Sequence, residues 1–111
     1  MIEIREYTNP DGHSPFADWF DDLNALAAAK VTTALVRVEQ GNFSNAKSVG
    51  ASVLEYRVNF GPGYRIYFGR DGDQLVILLA GGTKKRQQRD IEEAKALWDD
   101  YKQRKRHRGG T

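Results

Sequence analysis

The stretch Glu55–Asp90, EYRVNFGPGYRIYFGRDGDQLVILLAGGTKKRQQRD, concentrates side chains that can act on phosphate. Two alternating segments set Arg57 and Asn59, then Arg65 and Tyr67, on one face of a strand pair. A basic run, Thr83–Arg89, follows the next apolar segment and carries Lys84, Lys85, Arg86 and Arg89. Arginine clamps two phosphate oxygens with its planar fork. Lysine protonates a leaving group, or acts as a base where clustered positive charge lowers its pKa. Cutting RNA without a metal sets three tasks: taking the 2′ proton, neutralising the phosphorane and protonating the leaving 5′ oxygen. Arginine and lysine side chains suit all three.

Each residue also has a plainer reading. Arg57 is placed to pair with Glu55, and such pairs are common and weak. Tyr67 is either a stacking platform for an unpaired base or a half-buried sheet aromatic. Lys84, Lys85, Arg86 and Arg89 also read as solvated charges. Metal chemistry is not expected. Asp71 and Asp73 sit on a hairpin tip, and Glu92 and Glu93 are neighbours on a helix, so neither pair converges on a cation. No phosphate-binding loop, dinucleotide fingerprint or nucleophile elbow occurs, and no cofactor is expected.

The elements that must hold these residues follow from patterning. Met1–Tyr7 reads as a strand and Thr8–Gly12 as a turn. Ser14-Pro15 caps a helix carrying Phe16, Trp19, Phe20, Leu23 and Leu26. A second helix spans Ala27–Gln40, ended by Gly41, and Asn42–Ser52 reads as a polar loop. Strands follow at Val53–Phe60, from Tyr64 to the Asp71-Gly72 turn, and at Leu75–Ala80, where Gly81-Gly82 ends the last. A three-residue turn at 61–63 sets Phe60 opposite Tyr64, Asn59 opposite Arg65 and Arg57 opposite Tyr67. The helices then cover the apolar face and leave the arginine face open. Asp90 and Glu93 form a capping box for a final amphipathic helix. The expected fold is α+β: one domain over residues 1–104 with a basic, flexible tail at 105–111.

Charge divides the chain. Residues 1–54 hold 4 Lys/Arg and 7 Asp/Glu, and residues 55–111 hold 13 and 8. The second half is where a polyanion is expected. The absence of cysteine excludes a disulfide framework. The longest apolar run is too short for a membrane span, and the N-terminus opens on a strand-like segment rather than a secretory signal. These features point to a cytoplasmic protein without a membrane partner.

The segments LEYRVNFGPGYRIYF, LVILLAGGTKK and QRDIEEAKALW together resemble the RelE/ParE toxin superfamily, most closely its HigB-like branch of addiction-module killer proteins. The resemblance implies a type II toxin held by a cognate antitoxin, commonly of the helix-turn-helix type. Its ribonuclease members cleave mRNA on the ribosome without a metal. By position Arg65 matches the arginine of the GYRIYF motif, Lys85 a second basic position with Lys84 beside it, and Arg57 the basic residue of the preceding strand. On this reading Arg65 clamps phosphate with Arg57 in support, Lys84 or Lys85 transfers the proton, and Asn59, Tyr67, Arg86 and Arg89 contact RNA. The chain departs from the family where Ile91 stands in place of an aromatic near the start of the last helix. His13 and His107 lie outside the strands. Other members of the superfamily inhibit DNA gyrase, and a phage-derived binding protein without activity is a further alternative.

Overall fold

Alternating segments from both ends of the chain pair into one five-stranded sheet in the order β1-β5-β4-β3-β2. The computed structural model describes residues 1–109. In chain order the elements are β1 (Glu3–Glu6), α1 (Pro15–Asp21), α2 (Ala25–Glu39), β2 (Ala46–Gly50), β3 (Val53–Val58), β4 (Tyr64–Arg70) and β5 (Leu75–Thr83). A 3-10 turn, Lys84–Arg86, leads into α3 (Gln87–Gly109). β1 runs parallel to β5, and the other neighbours are antiparallel. The fold is α+β, as expected. No helix among the described residues is long and apolar enough to cross a membrane.

The helices differ from the sequence reading in where they break and what they cover. Ser14 Oγ accepts the Ala17 N–H at 3.0 Å and caps α1, with Pro15 as its first residue. A second cap, Asn24 Oδ1 accepting the Ala27 N–H at 2.9 Å, starts α2 at Ala25, two residues earlier than expected. Leu26 therefore leaves the apolar stripe and is 59% exposed. α1 and α2 cover one sheet face, where Phe16, Val31, Val38, Tyr56, Ile66 and Phe68 pack together. α3 covers the other face, the one expected to be open, and seals Tyr67, Ile77 and Leu79 beneath Ile91, Ala94 and Trp98. Each large side chain buried there contributes about 1.5–3 kcal/mol.

Three strand expectations are corrected. The segment read as a polar loop contains β2, a short edge strand pairing Ala46 with Tyr56 and Lys47 with Glu55. The double glycine does not end β5, which runs on to Thr83. Gly81 and Gly82 instead allow close approach on opposite faces. A Cβ on Gly81 would lie 2.1 Å from the Trp19 ring, and one on Gly82 would lie 2.0 Å from Asp90 Oδ2. The β3–β4 connection has five residues, 59–63, closed by the Gly63 N–H donating to the Phe60 carbonyl at 3.0 Å. Val58 thus pairs with Tyr64, Arg57 with Arg65 and Glu55 with Tyr67. The register differs by two residues from the three-residue turn, which preserves the faces and changes every partner.

α3 is fastened at its far end too. Tyr101 donates to Asp71 Oδ2 at 2.7 Å, Lys105 pairs with the same carboxylate, and Tyr7 donates to Asp100 Oδ2 at 2.7 Å. The basic end expected as a flexible tail continues the helix to Gly109, while 110 and 111 lie outside the described residues. The helix already begins at Gln87, so Asp90 falls inside the first turn and caps nothing.

Candidate nucleic-acid site

Strand alternation buries Glu55, Arg65 and Tyr67 on the sheet face that α3 covers, while Arg57, on the same face, stays exposed. Glu55 is the hub. It is completely buried, and its Oε1 lies 3.6 Å from Arg57 Nε, 3.7 Å from Arg65 Nε and 3.9 Å from Lys47 Nζ. Tyr67 donates to Oε2 at 3.0 Å. Gln87, in the first turn of α3, donates its amide to the same carboxylate at 2.9 Å and so pins the helix start onto β3. A buried carboxylate is tolerated only with such partners. Sequence reading saw Glu55 merely as a partner for Arg57. Its signal was present: a carboxylate on the same strand face as two arginines.

The expected site residues fall into distinct settings. Arg65 is 5% exposed, and its Nε has no hydrogen-bond partner among the described residues. Its guanidinium reaches toward the β3–β4 connection. A Cβ on Gly63 would meet Arg65 Nη1 and Lys84 Cβ, each at 3.6 Å. The Lys84 N–H donates to the Gly63 carbonyl at 3.0 Å, which fixes the 3-10 turn beside Arg65. Arg57, Arg65 and Lys84 are therefore brought together. Lys85 and Arg86 are exposed on the same turn, Arg89 is exposed on α3, and Asn59 is exposed in the β3–β4 connection. The stacking role of Tyr67 is corrected: the ring is fully buried and offers no face to a base. Burial, with Glu55 beside it, pushes its phenol well above the usual range, and it serves as a fixed donor.

Asp90 is a second carboxyl beneath the α3 terminus. It lies over Gly82, and burial raises its pKa above the ordinary carboxylate value against the opposing pull of Arg86. Ile91 belongs to the core under α3, so an aromatic at 91 would enter the core rather than the site. His13 sits in the loop before α1, and His107 lies near the distal end of α3.

Chemically, the arrangement offers two opposed arginines, both paired with one buried carboxylate, and a lysine-bearing turn at the same sheet end. That suits binding a phosphodiester. The family model described as phage-derived protein Gp49-like (DUF891) matches residues 18–99. A Haemophilus influenzae protein, named only "Uncharacterized protein", is 42% identical over 83 residues, spanning 74% of this chain and 84% of its own.

Proposed function

This chain belongs to the phage-derived Gp49-like family, and from that premise we propose that it is the toxin of a type II toxin–antitoxin pair, a HigB-like member of the RelE/ParE superfamily that cuts mRNA on translating ribosomes without a metal. The observation that carries the reading is the approach of Arg65 Nη1 and Lys84 to the same space over Gly63. A phosphodiester at this end of the sheet meets the Arg65 guanidinium, with the Lys84 side chain, rooted beside it, able to bring its ammonium to the same phosphate. Arg65, with Arg57 opposite it in the register, neutralises the phosphorane as the 2′ oxygen attacks in line. Lys84 or Lys85 moves the proton. Glu55 keeps Arg65 from turning away when no RNA is bound. The preorganised charge is what lowers the barrier, since it needs no rearrangement during the reaction.

The partners on this reading are mRNA, the ribosome and a cognate antitoxin of the helix-turn-helix type, and the place of work is the cytoplasm. The test is pulse labelling after induction of this chain alone in a bacterium, with methionine and thymidine incorporation followed in parallel. Protein synthesis should stop first. DNA synthesis stopping first would replace the reading with gyrase inhibition. Unaffected growth would leave a binding protein of the same fold.

A further inference from the structure

β2 begins at Ala46, and its pairing reaches one residue further, where the Arg57 N–H donates to the Asn45 carbonyl at 3.1 Å, so the edge of β3 is open only beyond Arg57. α2 passes alongside, and between them lies a groove of about 300 Å³. Its charged lining is Lys30, Arg37 and Arg57, with Asn45 and Asn59 as polar neighbours and no carboxylate. Lys30, Thr33 and Arg37 reach it from one face of α2 through their spacing of three and four residues. Among the described residues, neither Lys30 nor Arg37 has a carboxylate within ion-pair distance. Both come from the acidic half of the chain, where the overall charge gives no hint of a basic cleft.

Lys30 and Arg37 have no counter-charge in the groove, and a bound anion removes the repulsion between them and Arg57, whose own charge is shared with Glu55. The cleft is at the small end of ligand-sized sites. Its one exposed-edge aromatic, Phe60, is already engaged by Lys30 at 5.4 Å and stacked near Tyr64 at 6.5 Å. The ligand is therefore held by its phosphate and not by base stacking. Arg57 belongs to both places: it lines this groove and pairs with the buried Glu55. A strand crossing the open edge of β3 would pass from the groove to Arg65 through Arg57.

We infer that Lys30, Arg37 and Arg57 form a phosphate subsite for single-stranded RNA, holding a nucleotide that flanks the one presented to Arg65 and Lys84. RNA as the occupant rests on the proposed function, while the subsite itself rests on the groove. The test uses the full chain and a short, fluorescently labelled single-stranded RNA, with binding read by anisotropy across a salt series and no ribosome present. K30A/R37A changes two exposed side chains and should keep the wild-type melting temperature. It should bind more weakly, and its slope of log affinity against log salt should fall by about 1.4, two phosphate contacts at roughly 0.7 each. An unchanged slope in K30A/R37A, or a wild-type chain that does not bind RNA at low salt, overturns the subsite. The readout does not involve cleavage. RNA binding lost in K30A/R37A by a chain that cuts nothing in cells would support the subsite while removing the nuclease reading.

Discussion

Glu55 Oε1 lies 3.7 Å from Arg65 Nε, with both side chains buried, so the cation proposed to meet phosphate is held by a carboxylate that solvent cannot reach. Removing one partner of a buried pair strands the other, at a cost of about 3–5 kcal/mol. Glu55→Gln keeps the shape and an acceptor for Tyr67 but removes the charge. It should lower unfolding free energy by about 3 kcal/mol in denaturant titrations. An effect under about 1 kcal/mol would mean that the arginines are held by other contacts.

Gly82 and Asp90 form the second tight relationship. Gly82→Ala would drive a methyl to 2.0 Å from the Asp90 carboxylate, and overpacking of this kind costs about 1–3 kcal/mol. In an Asp90→Ala background the clash is gone, and Gly82→Ala should cost much less. The double-mutant cycle, read from unfolding free energies, should show coupling above about 0.5 kcal/mol. Simple additivity would place the strain elsewhere.

Much of the site was legible in the alternation of β3 and β4, because a two-residue change of register preserves the faces. The partners were not, since GPG can end either a three-residue or a five-residue connection. β2 stayed hidden because AKSVG is short and carries no apolar alternation. The covering of the arginine face by α3 was also illegible. Glu55, Arg65 and Tyr67 read as a solvent-facing set, yet Glu55 pairs with Arg65 and accepts from Tyr67, which lets the three be buried together. The double glycine reads as a stop signal. Its use as a landing place for Trp19 and Asp90 needs tertiary structure to be seen.

Asp90 also makes stability depend on pH. Its folded pKa is raised by burial, so folding favours the protonated form. Its contribution is therefore fully present below the unfolded value of about 3.9 and is lost as pH rises through the folded pKa. Asp90→Asn should raise the melting temperature at pH 7, and the gain should shrink toward zero as pH approaches the unfolded value. A gain independent of pH would assign the effect to packing instead of charge.

The central claim is that Arg65 acts on an RNA phosphodiester, and mapping mRNA 5′ ends in cells expressing this chain tests it most directly. Wild-type protein should create new ends inside translated reading frames. Arg65→Ala and the charge-retaining Arg65→Lys, each checked for a native melting transition, should leave those ends at background level. Undiminished cleavage by a folded Arg65→Ala protein, or the absence of new ends with the wild type, would contradict the account.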